Sequence, residues 1–262
     1  MATLAPETGP LSKPRVVARD RTFLWLAIVA LLIAVIGFTP TYWAQLPAGT
    51  TNAAPLVHLH ALVFTAWPLL LVAQAIRIDR GRVRNHRAWG IAGISLATAM
   101  LFVGIATAVV AMTTRLANGE GDAARAFLIV PITGVGLFYL YFMAAAFNIT
   151  RPDWHKRFVI IATSSVLQAA VARFFFLAIH GVGPGLRPAM FASRPVSATL
   201  AGALLLDLMV VYGMVVDWRR DGRPHPAWLW GLAGLLVVQF VRAPLSTTTA
   251  WLGFADWLTR FT

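Results

Sequence analysis

The residues best suited to chemistry in this chain are its six histidines, and their spacing sorts them into groups. His86 opens the segment HRAWGIAGIS and His155 opens HKRFVIIATS. Each has a base next to the histidine, an aromatic at +3, isoleucine at +5, a small residue at +7 and serine at +9. Two neutral imidazoles on opposite faces of a macrocycle are what a b-type haem requires. If the helices that begin at His86 and His155 are neighbours, their rings face each other across a gap. Arg87, Lys156 and Arg157 then stand ready for the propionates. In the other reading of the same residues, both histidines mark helix starts beside lipid headgroups.

His58 and His60 are two apart, about 200° around a helix. They cannot both face one centre, so H-x-H is a weak metal motif here. One of them points into the protein and the other to its boundary. Arg173 and Asp207 lie deep within apolar runs, at depths of about 10 and 14 Å from the same side. A lone charge there costs about 2.5–3.5 kcal/mol. The expectation is that Arg173 and Asp207 pair or share a hydrated cavity. The arrangement is either a packing strut or the lining, with His58 or His60, of a pocket for an anionic or quinone-like ligand or a proton relay. Gln74, Gln168 and Gln239 are candidates for interhelical hydrogen bonds. Tyr42 and Trp43 read as residues of an interfacial aromatic belt. No Walker loop, G-x-S-x-G or H-E-x-x-H motif occurs.

The elements that must position these residues are membrane helices. Mean hydropathy is +0.71 and only 12% of the 262 residues are charged, about half the usual share for a soluble domain. Apolar runs cover 23–38, 56–76, 90–112, 127–147, 158–180, 198–218 and 227–241, which predicts an all-α polytopic protein of about seven spans. Residues 1–22 form a polar tail, 23–241 one transmembrane domain, and 242–262 an outer tail whose Trp251, Phe254, Trp257 and Phe261 suit a short interfacial helix. The first span reads as an uncleaved anchor, since no A-x-A pattern follows it.

Charge orients the spans. Fifteen of the 22 Lys and Arg residues fall in the N-terminal tail and in the loops after spans two, four and six. Among them are Lys13, Arg15, Arg19, Arg77, Arg151, Arg219 and Arg223. Arg187 is among the few on the other side. The positive-inside rule puts the N-terminus inside and the C-terminus outside. It accounts for the net charge of +12 without nucleic acid. His86, His155 and His225 then belong to the inner face, and His58, His60 and His180 to the outer. The absence of cysteine excludes disulfides, iron–sulfur clusters and thiolate-ligated haem.

Residues 55–175 resemble a bacterial family of multi-span proteins with an uncharacterised domain. The resemblance rests on His58 or His60, then His86-Arg87-Ala88-Trp89-Gly90, then His155-Lys156-Arg157-Phe158, then Arg173; Val159 stands where the family pattern has Met. The layout is also similar to two-haem transmembrane cytochromes b. That likeness implies electron transfer, b-type haem on the inner pair, and residence in the bacterial cytoplasmic membrane as a multi-pass protein. Only the inner pair fits it, because His180 lies about 25 residues beyond His155. The leading expectation is a redox-type membrane protein that binds b-type haem or a small lipophilic, quinone-like ligand. The alternative is a carrier of protons or small solutes, or a subunit of a larger complex, that works through Arg173 and Asp207.

Overall fold

A computed structural model describes residues 20–51, 53–181, 185–186 and 192–261, without the side chains of Phe176 and His180. Lys13, Arg15, Arg19, Arg187 and the His180 side chain therefore lie outside the described residues. The chain is all-α. Its helices are α1 (Thr22–Phe38), α2 (Pro55–Asp79), α3 (Val83–Ala117), α4 (Asp122–Phe127), α5 (Ile129–Phe147), α6 (Pro152–Val166), α7 (Gln168–His180), α8 (Leu200–Asp221), α9 (Pro226–Ser246) and α10 (Thr249–Leu258). Among the described residues six spans are long and apolar enough to cross a membrane, or seven if the bent pair α6–α7 counts as one span. Lipid offers backbone groups no hydrogen-bond partners, so segments of this composition close their bonds internally as helices. Leu62, Ile91, Phe102, Leu140 and Val237 face outward, each at least 60% exposed, as a lipid-facing surface requires.

The helices α1, α2, α3, α5 and α6 pack in a ring, each against the next and α6 back against α1. The pair α8–α9 backs onto α6. The loops rich in Arg all meet at one end, the basic face. There Arg21 bonds Asp79 at 3.2 Å and Arg220 bonds Asp20 at 2.6 Å. At the other end α10 lies on α4, where Trp251 donates to the Arg125 carbonyl and Arg125 pairs with Asp256.

Two expected boundaries move. The run 158–180 is not one straight helix: it breaks at Leu167 into α6 and α7, bent by 42°. The cause is local. Thr163, Ser164 and Ser165 turn their hydroxyls back onto the carbonyls of Val159, Ile161 and Ala162. Such back-bonding competes with the helix ladder and bends it. The seventh span also runs beyond 241, because α9 continues to Ser246 with Arg242 buried inside it. That arginine is tolerated because its guanidinium donates to Gln168 at 2.8 Å and to Thr199 at 2.7 Å.

Small residues set the closest approaches between helices. A Cβ on Gly37 would stand 2.6 Å from the Ala170 carbonyl oxygen, so α1 and α7 touch backbone to backbone there. Gly37→Val should lower stability by about 1–3 kcal/mol, read as thermal unfolding in detergent. Gly253→Ala, which meets open space, should be neutral.

Candidate functional site

At the basic face, α3 starts just after the left-handed turn at Gly81, and α6 starts on Pro152. Both helices therefore carry a histidine in their first turns, His86 and His155. The two rings come together, with centroids 6.2 Å apart and planes at 83°. The Nδ1 of His155 lies 2.9 Å from the Ala145 carbonyl oxygen. Only an Nδ1–H can donate to a carbonyl, so this contact leaves Nε2 with the lone pair. Gln74 donates from α2 to the His86 carbonyl at 3.1 Å. The His86 Nδ1, the Gln74 Oε1 and one Arg77 guanidinium nitrogen are buried there without partners. One turn deeper on the His86 face, Gly90 leaves open space where a Cβ would stand.

This arrangement has the dimensions of a two-imidazole metal site. A metal bonded at about 2.0–2.1 Å to one nitrogen of each ring puts the ring centres roughly 6 Å apart. Among the described residues no three His, Cys, Asp or Glu side chains gather as a metal site. Two imidazoles at this spacing would suit a metal that brings the rest of its ligands with it, as in a macrocycle. A carbonyl that fixes the outer nitrogen of a ligating histidine is the usual supporting contact for such a ring.

The cations foreseen around the pair are differently employed. Arg157 does not reach toward a propionate. It is 2% exposed and bonds Asp217 at 2.7 Å, while Trp228 donates to the same carboxylate at 2.8 Å. Lys156 pairs with Asp153 at 3.2 Å and lies over the Phe23 ring. Both side chains are thus committed to salt bridges. Arg87 is exposed and has no described partner. Arg77, stacked 4.7 Å over Trp89, is a cation beside His86 that the sequence reading passed over. His225 is structural: its Nδ1 accepts from the Ala227 N–H and caps α9. Burial, with the nearby charge of Arg157, holds that imidazole below its ordinary value, which keeps it neutral and able to accept.

The Arg173–Asp207 pair does not form. Arg173 donates from Nε to the Thr41 hydroxyl at 3.0 Å and from Nη1 to the Ala169 carbonyl at 2.7 Å, and stacks on Phe38. Asp207 instead accepts from Gln239 at 3.2 Å, and its second oxygen is buried without a partner. The reason is azimuth. Val171 is the residue of α7 that faces α8, 3.6 Å from where a Cβ on Gly202 would stand. Two residues later Arg173 is about 200° round the helix, turned toward α1. Similar depth along their helices does not bring the two charges together. The three glutamines do link helices: Gln74 to α3, Gln168 to α9 and Gln239 to α8.

At the end opposite the basic loops lies a cavity of about 550 Å³. It exists because α6 packs along α5, whereas α7, past the bend, packs against α1 and α8. His60 lines it, stacked on Phe64, with its Nδ1 buried and unpartnered. His58, on the other side of α2, bonds the Tyr42 hydroxyl at 2.8 Å instead. Trp67, which donates to Thr163 at 3.1 Å, and Phe138 and Phe142 stand between this cavity and the histidine pair. Asp217 and the Thr163–Ser165 run are the residues that sequence reasoning missed. The one sequence signal for the first was an acid at the end of an apolar run facing an excess of bases.

Compared with known proteins, the chain matches no family model, no curated protein and no solved structure.

The charge assignments can be separated by double-mutant cycles. Arg173→Ala and Asp207→Ala should add to within about 0.5 kcal/mol. Asp217→Ala should cost about 3 kcal/mol, because it leaves a buried guanidinium with only the longer pair to Asp153 at 3.5 Å. Combining it with Arg157→Ala should cost much less than the sum. Strong coupling in the first cycle, or simple additivity in the second, would reverse the assignment.

Proposed function

We propose that this is a redox-type membrane protein that holds a b-type haem between His86 and His155. The observation that carries this reading is the 6.2 Å separation of the two rings, with the His155 Nδ1 on the Ala145 carbonyl and its Nε2 left as the ligating nitrogen. The open face at Gly90 gives room beside His86. When bound, the haem supplies a one-electron carrier. The chain's own part is to fix the two imidazoles, to surround them with apolar side chains and to meet negative charge at the rim. Ala145 orients one ring. Gln74 tethers the start of α3 that carries the other. Phe142 and Trp67 close the deep side against water. Arg77, with an unpartnered buried nitrogen, and the exposed Arg87 are the cations free to meet propionates.

The clustering of basic loops at one end supports an orientation with that end in the cytoplasm, the N-terminus inside and the C-terminus outside. In a bacterial cell such a protein would reside in the cytoplasmic membrane, as the sequence resemblance also implies. A carrier that works through an Arg173–Asp207 pair has lost its structural basis, since the two side chains have separate partners.

The test is the visible absorption spectrum of protein purified from haem-supplied cells, oxidised and dithionite-reduced. One haem per chain is expected, with a Soret band that shifts on reduction. His86→Ala and His155→Ala should each abolish it, whereas His58→Ala and His225→Ala should leave it intact. A colourless protein, or a band that survives loss of either paired histidine, would sink the proposal.

A further inference from the structure

The cavity at the end opposite the basic loops is polar in a one-sided way. Arg173, Arg194, Arg115 and His60 line it, and among the described residues no acidic side chain does. Arg115 has its own counter-ion, Glu120, at 3.1 Å. Arg173 has none. Its contacts are a hydroxyl, a backbone carbonyl and the Phe38 ring, all neutral, and its Nη2 bonds nothing among the described residues. It stands seven residues before the end of α7, about 10 Å in at 1.5 Å per residue. A guanidinium at such depth is normally paired, because an uncompensated charge in the hydrocarbon region costs roughly 2.5–3.5 kcal/mol even on a lenient scale. The protein has placed the cation on a cavity wall and left the counter-charge out.

The rest of the wall says what should carry that counter-charge. Phe64, Trp67, Met112 and Val135 make it apolar, and its volume of about 550 Å³ falls within the range of small-ligand pockets. Phe175 and Ile179 also line it, and they are 42% and 62% exposed. They sit on the lipid-facing side of α7, so the cavity opens sideways toward the bilayer. A small hydrated ion has no use for such walls. A neutral quinone would satisfy the walls and leave Arg173 uncompensated.

We infer that this cavity binds an amphipathic anion from the membrane, an apolar chain carrying one oxyanion head, with the head on Arg173 and His60 and the chain against Phe64, Trp67 and Met112. Arg173 offers its free Nη2, and a second hydrogen bond comes from the His60 ring, whose Nδ1 has no partner among the described residues. Arg194, exposed at the mouth and without a described partner, draws the anion in. The head group's chemistry is common to a free fatty acid and to an acidic phospholipid. The inference does not depend on iron at the basic face.

Full-length protein in phosphatidylcholine nanodiscs distinguishes these sources when titrated with oleate, with dioleoylphosphatidylglycerol and with methyl oleate, which keeps the chain and removes the charge. Native mass spectrometry reads the bound species, and thermal unfolding reads the stabilisation. Oleate should bind one per chain and raise the unfolding temperature, and methyl oleate should do neither. Binding of oleate alone identifies a free acid as the source; binding of phosphatidylglycerol as well identifies a lipid. Arg173→Gln should weaken oleate roughly ten- to a hundredfold. Ala111→Trp fills the cavity from an exposed lining position without touching Arg173, and should also block binding. Methyl oleate as effective as oleate, or oleate binding undiminished in either variant, would overturn the inference.

Discussion

The bond between Arg157 and Asp217 is the interaction on which the arrangement of this protein most depends. Both side chains are almost fully buried, at 2% and 3% exposure. Two desolvated ions are tolerable only with good geometry and further hydrogen bonds. Here Trp228 donates to the carboxylate, the Asp153 carbonyl accepts from the guanidinium, and Phe23 lies under it. Four helices, α1, α6, α8 and α9, thereby converge on one ion pair. Removing either partner takes away the closest counter-charge and leaves only a longer pair, Arg157 with Asp153 at 3.5 Å or Asp217 with Arg220 at 3.3 Å, so the cluster specifies how α6 is seated and rotated. His155 lies two residues before Arg157. The rotation that buries Arg157 toward α8 turns His155 about 200° away, toward α3 and His86.

From that anchor the same helix runs into its own defect. Three consecutive hydroxyl residues, Thr163 to Ser165, spend their donors on backbone carbonyls, and Ser165 also reaches the Gly134 carbonyl of α5 at 3.2 Å. The lower half of the span stays bound to α5. The upper half departs by 42° and is caught by α1, where Gly37 lets the backbones meet. One helix thus serves both ends of the molecule: its first turn presents a ligand-type histidine, and its displaced second half opens a chamber. The aromatic layer of Trp67, Phe138 and Phe142 separates the two.

How much of this was legible in the sequence follows from what a linear reading can see. Apolar length sees spans, so each membrane-spanning run is legible, including the short first and last ones, whereas the six-residue α4 before the fourth is not. It cannot see a bend made by serines, because in an apolar run Ser and Thr count as nearly neutral. It also ends a span where a charge falls near the edge of an apolar run. For that reason α9 was cut before Arg242, whose partners Gln168 and Thr199 lie on other elements. Depth along a helix is legible from residue counts, and it is similar for Arg173 and Asp207. Azimuth is not, and Val171 rather than Arg173 faces α8. The H-x-H geometry was legible because it needs only the helical period: His58 and His60 do part, one to Tyr42 and one to the cavity.

The meeting of His86 and His155 has a topological root. Each opens the second helix of an antiparallel hairpin, α2–α3 and α5–α6, and each follows a turn at the basic face. In the ring of helices α3 and α6 are both neighbours of α5 and run in the same direction. Residues at equal distance from their helix starts therefore come level on the inner side of the ring. His86 is the fourth residue of α3 and His155 the fourth of α6. The similar sequences after the two histidines then put Gly93 and Ala162, both buried, at matching heights. Gly93 there faces Leu70 of α2, 3.8 Å from where its Cβ would stand. The local echo in the sequence thus describes a pair of like-placed hairpins, and the histidine pair is the point where their equivalence becomes contact.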